Sequence, residues 1–176
     1  MPYKKLLWGF IFMFDLRINE LDLLPDFIGY IFFYQGLSML ADENEHFYKG
    51  KGLAFPMIFL SIFDLYNNPT PSYGLQEQIL GGFSTFFSTV IFFLSVFISI
   101  LMVYKICMGI AVEAEKIGAY DLEKKSMDRY KLFLLNNFLL FLGFLMPILI
   151  IPIIIFSLVS YYLLVDLMNI ASRHLD

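Results

Sequence analysis

Charged residues and cysteine are scarce in this sequence, and their scarcity argues against several functions. Only 16% of the 176 residues are charged, and a single cysteine, Cys107, excludes an internal disulfide. There is no GxSxG, HExxH, CxxC or phosphate-loop motif, and the two histidines are far apart. The chain has no basic patch that could neutralise phosphates, which argues against nucleic acid as a partner. We expect no enzymatic activity, no cofactor and no metal centre.

Long apolar runs are abundant instead. Hydrophobic residues make up 59% of the chain, and the mean hydropathy is +0.72, whereas a soluble domain is about half apolar and a quarter charged. The longest uncharged run covers 34 residues, 132–165. A membrane helix needs about 20 apolar residues. The sequence predicts an all-α, multispanning helical bundle in the cell membrane, with residues 1–176 as one integral domain and the lipid bilayer as its partner.

Six short membrane segments are expected. The N-terminus resembles a signal peptide but has no small-x-small cleavage site, so it is interpreted as a retained first helix. Pro25 and Asp26 suit the start of the second segment. Gly143 and Pro147 suggest that the last run turns back on itself, with one kinked helix as the alternative. The segments are predicted at 6–16, 25–41, 53–66 (with Pro56 in its first turn), 80–104, and twice within 132–165.

Basic residues favour both termini in the cytoplasm. Eleven of the twelve lysines and arginines fall at the N-terminus, in the second and fourth connectors with their approaches, and at the C-terminus. Only Arg17 lies in a connector on the other side. Cytoplasmic loops carry the excess of lysine and arginine, so this distribution agrees with six spans.

The connector at 105–131 is predicted to be a short cytoplasmic helical hairpin. Gly118 has the character of a helix C-cap and Asp121 of the next N-cap. Charged pairs at i,i+4 are expected between Asp121 and Lys125, and between Lys124 and Asp128. The hairpin is either a solvated helical turn or a docking surface for a cytoplasmic protein partner.

Polar residues inside the apolar segments form two groups. One face of the fourth segment carries small residues at helical spacing, which favours helix packing over a hydroxyl-lined substrate path: Gly81, Ser84, Ser88, Ser95 and Ser99. The second group consists of three amides, Gln35, Asn136 and Asn137. Gln35 and Asn136 fall at similar depth, so we expect them to share an interhelical hydrogen bond. Contact between these amides and a ligand is the alternative.

A third set of polar residues lies mainly in the connector before the second segment, joined by an aspartate of the third. Helix capping and ordinary exterior acidity account for it most simply. The alternative is a site for a cation or cationic ligand, because carboxylate and asparagine oxygens suit hard cations, although the spacing matches no EF-hand loop. The candidate residues are Asp15, Arg17, Asn19, Asp22, Asp26 and Asp64.

The string FDLRINELDLLPDFIGYIFFYQGLSML, after a Lys-Lys-apolar start, resembles a group of uncharacterised small polytopic membrane proteins from low-GC Gram-positive bacteria. The resemblance covers mainly residues 4–42 and is carried by Pro25, Asp26, Gly29 and Tyr30, with a weaker similarity at EKIGAYDLEKKSMDRYK. It implies a bacterial plasma-membrane location and no assigned activity.

Two classes of function remain open. The first is a binding or transport component for a small ligand or ion, comparable in size and span count to the substrate-binding subunits of vitamin transporters. The first helix lacks the small-xxx-small alanine pattern of those subunits. The second is an accessory or regulatory membrane protein that docks a partner through helix packing and the 105–131 hairpin.

Overall fold

A computed structural model describes residues 1–13, 17–18, 21–22, 26–66 and 75–175. These residues form six α-helices, and the predicted all-α class is confirmed. The helices are α1 (Pro2–Phe12), α2 (Asp26–Leu40), α3 (Glu45–Tyr66), α4 (Leu75–Lys116), α5 (Tyr120–Leu145) and α6 (Ile150–His174). Two strands of two residues each, β1 (Arg17–Ile18) and β2 (Leu21–Asp22), pair antiparallel between α1 and α2.

Helix α3 begins eight residues before the predicted segment. Asn44 precedes its first residue, and the Asn44 Oδ1 accepts hydrogen bonds from the backbone N–H groups of His46 (3.0 Å) and Phe47 (3.2 Å). This is an N-cap, which satisfies donors that a helix start leaves free. Pro56 therefore lies inside the helix rather than in its first turn.

The hairpin between α4 and α5 turns at Gly118, as predicted. Gly118 has a φ of +72°, which glycine adopts without a steric penalty. Its N–H donates to the Glu115 carbonyl (3.0 Å), and the N–H of Ala119 donates to the Ala114 carbonyl (2.8 Å). These two bonds define a Schellman motif. The prediction of Asp121 as N-cap is wrong: Ala119 holds that position, and Asp121 lies in the first turn of α5, where its charge complements the helix dipole.

The run at 132–165 contains two antiparallel helices and not one kinked helix. Helix α5 ends at Leu145, and Pro147 opens a single 3-10 turn before α6. Across the pair, the Ser157 hydroxyl donates to Asn136 Oδ1 (2.7 Å), and the rings of Phe133 and Tyr161 lie edge to face at 6.1 Å. Proline has no N–H for the preceding helix to use and disfavours helical geometry in the residue before it.

The six helices form a closed ring in sequence order. Each helix packs against the next, and α6 packs back against α1. The ring interior is filled mainly with apolar side chains, including the fully buried Phe33, Phe47, Met102, Ile106 and Leu164. Helices α2 to α5 therefore have their two sequence neighbours as main partners, whereas α1 and α6 each pack against one sequence neighbour and against each other.

Four chain regions meet at one end of this ring, which we name the basic end: the start of α1, the α2–α3 connector, the α4–α5 hairpin and the end of α6. The rings of Tyr3 and Phe47 lie 6.2 Å apart, and Asn44 Nδ2 donates to Glu113 Oε1 (2.7 Å). The hairpin and the last turns of α6 line one common cavity. This is the grouping that the basic residues predicted.

Two helices in the described chain are long and apolar enough to cross a membrane. They are Thr89–Lys116, within α4, and Ile150–His174, with mean hydropathies of 2.5 and 2.2. Only 22% of each apolar window is buried inside the protein, whereas a core helix of a soluble protein buries most of its apolar residues. Large side chains such as Phe93, Phe97 and Ile155 point outward.

The other four helices fall short for identifiable reasons. At 1.5 Å per residue, the 11 residues of α1 and the 15 of α2 extend about 16 and 22 Å, less than the roughly 30 Å of a bilayer core. Helices α3 and α5 are long enough but carry lysines and acids in their first halves.

Candidate functional site

A cavity of about 180 Å³ lies among five of the six helices. Eleven of the residues whose side chains the structure describes line it: Asp26 and Tyr30 from α2, Met57 and Ser61 from α3, Phe92, Ser95, Val96 and Ser99 from α4, Phe133 and Asn137 from α5, and Tyr161 from α6. Seven of the eleven carry a polar group. Such a concentration is unusual in a bundle whose interior is otherwise largely apolar.

Asp26 marks the rim of the cavity. It is exposed at the first residue of α2, while Tyr30, one turn further along the same helix, is 5% exposed. The N-terminus of α2 lies at the end of the ring opposite the basic end. The carboxylate is therefore placed where a ligand would enter from that side.

Two polar side chains of the wall donate hydrogen bonds to carbonyls of their own helices, and one of the two Asn137 Nδ2 hydrogens remains unused in these bonds. The Ser61 hydroxyl donates to the Met57 carbonyl (2.8 Å), and Asn137 Nδ2 donates to the Phe133 carbonyl (2.9 Å). Such local bonds satisfy a serine or asparagine inside a helix. They leave the Ser61 oxygen lone pairs and Asn137 Oδ1 available as acceptors.

Ser95 differs from these two residues. Its Oγ is buried, and no group in the described parts of the chain bonds to it. A buried polar atom without a partner costs about 1–3 kcal/mol, so native structures satisfy nearly all such atoms with protein, water or ligand. Because Ser95 lines the cavity, a bound molecule or water can supply the missing partner.

Four of the predicted site residues meet at this cavity: Asp26, Ser95, Ser99 and Asn137. Ser95 and Ser99 were predicted to pack helices, and they contribute to a cavity wall as well. Ser61, Tyr30 and Tyr161 were not predicted as site residues. An isolated hydroxyl within an apolar run was the available signal for Ser61.

The predicted hydrogen bond between Gln35 and Asn136 is wrong. Gln35 is exposed, and its Oε1 accepts from Lys5 Nζ (2.8 Å). Asn136 is 1% exposed and accepts from Ser157 on α6. Both amides join neighbouring helices, but each joins a different pair.

Much of the predicted acidic group lies beyond what the structure describes. Asp15 and Asn19 fall outside the described residues. Arg17 and Asp22 are described by their backbone, which places them opposite each other in the β1–β2 pair. The side chains of Asp64, Gly81, Ser84 and Ser88 are likewise outside the description, although all four positions are helical.

A polar cluster at the basic end ties α3 to α4. Asn44 Nδ2 donates to Glu113 Oε1 (2.7 Å) and to the Gly109 carbonyl (3.3 Å). Lys116 Nζ donates to the same Glu113 oxygen (2.7 Å) and to the Glu43 carbonyl (3.2 Å). The sequence analysis did not find this cluster, because its members come from segments 65 to 73 residues apart.

The first turn of α3 carries one perturbed acid beside this cluster. Lys49 Nζ lies 2.7 Å from Glu45 Oε1, and this hydrogen bond, with the lysine charge, lowers the pKa of Glu45. Both side chains are well exposed, so the pair contributes little to stability.

A second cavity, of about 490 Å³, opens between the hairpin and the end of α6. Its wall mixes apolar and charged residues: Gly118, Ala119, Tyr120, Asp121, Leu122, Lys125, Ile170 and His174.

This chain matches no known protein family, no characterised protein and no solved structure.

Proposed function

We propose that this protein is a multi-pass membrane protein that binds or transports a small ligand through the cavity among α2 to α6. The observation that carries the proposal is the polar lining of that cavity, and above all the buried Ser95 hydroxyl with no described partner. Concave sites with an apolar body and a few convergent polar groups are the usual form of small-molecule sites. Polar groups inside a membrane bundle are costly and tend to mark ligand paths.

The multi-pass arrangement is supported by the ring and by the charge pattern. Both termini and two connections gather at the basic end. An even number of antiparallel segments requires this, because the chain returns to the same end after every second segment. Eleven of the twelve basic residues belong to that end or its approaches, as the cytoplasmic excess of lysine and arginine predicts. The short α1 and α2 fit a bundle that thins the bilayer locally or lies partly in its interface.

Topology is tested by labelling single cysteines in a Cys107→Ala background. A cysteine replacing Asn68 or Tyr73, in the α3–α4 connection, should react with an impermeant thiol reagent added to intact cells. A cysteine replacing Lys124, in the hairpin, should react only after the cells are opened. Equal labelling of both positions in intact cells, or the reversed pattern, contradicts the proposed six-span topology.

The cavity is tested by cysteine labelling at Ser99. A Ser99→Cys thiol should react with small water-soluble methanethiosulfonates, cationic or anionic, because a thiol ionises and reacts where water enters. The matched control is Phe97→Cys, two residues away on the outward face of α4, where lipid or detergent should protect the thiol. Equal rates at both positions, or no reaction at Ser99→Cys, would overturn the small-ligand proposal.

An accessory role is the second candidate, and the hairpin supplies its observation. Ile117 and Tyr120 flank the Gly118 turn, and both are more than half exposed at 57% and 71%. Exposed apolar residues beside a cavity are typical of a protein-docking surface. Gentle solubilisation of native membranes distinguishes the two roles. The accessory role is favoured if another protein copurifies in a stoichiometric amount with the wild type but not with an Ile117→Ser, Tyr120→Ser variant.

A further inference from the structure

We propose that the outer surface of α1 to α3, which faces away from the ring interior, binds an anionic phospholipid of the leaflet at the basic end. The proposal rests on the membrane placement in the proposed function, but not on the cavity. Two contacts on one turn of α2 define the head-group site. Lys5 Nζ of α1 donates to Gln35 Oε1 (2.8 Å), and Lys51 Nζ of α3 lies over the Tyr34 ring, 5.6 Å from its centroid. Because Tyr34 and Gln35 are consecutive, α2 holds a lysine from each neighbouring helix at one level.

This level coincides with the boundary between charged and apolar sequence. Three lysines each border an uncharged stretch: Lys5 before 6–14, Lys51 before 52–63 and Lys105 after 78–104. A Cβ built at Gly50 would lie 3.4 Å from a side-chain carbon of Lys105, its Cβ, so Lys51 and Lys105 stand at similar depth. Lysines at the ends of membrane helices extend their ammonium groups to the lipid head groups while their stems cover apolar surface. The three lysines therefore mark the head-group plane.

Positive charge and hydrogen-bond donors meet at the head-group site. Among the described residues, Lys5 and Lys51 are in no ion pair, since one contacts an amide and the other a ring. Gln35 is exposed, and its Oε1 is used by Lys5, so its Nε2 can donate outward. Helix α2 ends at Leu40, about 8 Å past Gln35, and the acids of the α2–α3 connector follow only after that end. Two ammonium groups and an amide suit the oxygens of a phosphate, and they repel the ammonium group of a zwitterionic lipid.

Aromatic side chains continue from both lysines, away from the basic end. They follow one face of each helix at spacings of three and four residues: Lys5, Trp8 and Phe12 on α1, and Lys51, Phe55 and Phe59 on α3. The Phe55 ring lies 5.9 Å from Tyr34 and 5.3 Å from Phe59. Trp8, Phe55 and Phe59 are half exposed. A ligand bound at the lysines therefore has an apolar surface directly beside it.

The depth of this apolar surface matches one leaflet. From Leu6 to Phe12 helix α1 extends about 10 Å, and from Phe27 to Tyr34 helix α2 extends about 12 Å. One leaflet contributes about 15 Å, half of the bilayer core. A phospholipid with its phosphate at Lys5 and Lys51 would lay its acyl chains along these rings, whereas a soluble phosphate would use the lysines alone.

The test uses full-length protein in micelles of neutral detergent and phosphatidylcholine. Added phosphatidylglycerol should raise the melting temperature, whereas the same amount of extra phosphatidylcholine, or soluble glycerol phosphate, should not. The Lys5→Gln, Lys51→Gln variant should bind phosphatidylglycerol about tenfold more weakly or worse, because each lysine near an anionic head group adds to the attraction. The matched control is Lys124→Gln, Lys125→Gln in the exposed hairpin, which removes the same charge and should respond as the wild type does.

Each variant is compared with its own melting temperature in phosphatidylcholine, so that lost stability is not mistaken for lost binding. Lys5→Arg, Lys51→Arg retains both charges and should respond as the wild type does. An equal shift with phosphatidylcholine overturns the anionic class, and an equal shift with glycerol phosphate overturns the lipid. A response lost equally in the hairpin control overturns the site. None of these results changes the reactivity of Ser99→Cys, so failure of this inference is distinguishable from failure of the proposed function.

Discussion

The Gly109→Ala variant should unfold at a markedly lower temperature than the wild-type protein. A Cβ added at Gly109 clashes with the Phe47 ring, three of whose carbons lie within 2.7 Å of it. Phe47 is fully buried and lies edge to face with Tyr3, 6.2 Å away. The ring cannot move aside without displacing α1. Overpacking of this kind costs about 1–3 kcal/mol, and the roughly 1 kcal/mol that alanine gains over glycine in a helix offsets only part of a cost in the upper half of that range.

The matched control is Gly52→Ala in α3. A Cβ at Gly52 meets nothing within 4 Å, so only the helix-propensity gain applies, and stability should rise by about 0.5–1 kcal/mol. Thermal unfolding in one detergent measures both variants. The Phe47→Leu, Gly109→Ala double variant should lose less than the sum of its single variants, since the smaller side chain relieves the clash. A Gly109→Ala protein as stable as the wild type would show that α3 and α4 do not approach this closely.

Features that depend on neighbouring residues in the sequence could be predicted well. The start of α2 near Asp26, the C-cap at Gly118 and the break near Pro147 all follow from the restrictions that proline and glycine place on the backbone. These signals act within about one helical turn. The grouping of four chain regions at the basic end could also be predicted, because the lysines are concentrated in those regions.

Features that depend on the direction in which a helix faces could not be predicted. Gln35 and Asn136 were paired because they lie at similar depth. Helix α2 packs against α1 and α3, however, while α5 packs against α4 and α6. Depth along a helix is fixed by counting residues, whereas the order of helices around the ring depends on contacts between distant segments. Asn136 therefore bonds to Ser157 on the helix that follows it.

The cavity was predictable only in part, for the same reason. The four-residue spacing of Ser95 and Ser99 places them on one face of α4, but helical spacing does not tell a packed face from a cavity wall. The distinction depends on Ser61, Asn137 and Tyr161, which three other helices contribute. The close approach at Gly109 is likewise visible only once Phe47 of α3 is placed against it.

Loss of the Asn44 side chain should also have a large effect on stability. Asn44 Oδ1 caps α3 through two backbone N–H groups, and Nδ2 binds the carboxylate of Glu113 on α4 at 2.7 Å. Removing an N-cap costs about 1 kcal/mol, with a range of about 0.5–2. A hydrogen bond to a charged group adds about 1.5–3 kcal/mol. The Asn44→Ala variant should therefore lose about 2–4 kcal/mol in the free energy of unfolding, measured by denaturant titration in mixed micelles.

Two further variants separate the cap from the bond to α4. Asn44→Ser retains an oxygen that caps α3 but has no amide for Glu113, so it should recover only the capping share of the loss. The control for the substitution itself is Asn169→Ala, which should change stability little. Asn169 is a helical asparagine whose side chain makes no hydrogen bond among the described residues. Helices α3 and α4 meet at the Asn44–Glu113 hydrogen bond near the basic end, and both also line the cavity. Loss of that hydrogen bond should therefore also speed the reaction of the Ser99→Cys thiol with methanethiosulfonates. An Asn44→Ala protein with wild-type stability would mean that the α2–α3 connector is not anchored to α4, and the placement of the basic end would have to be revised.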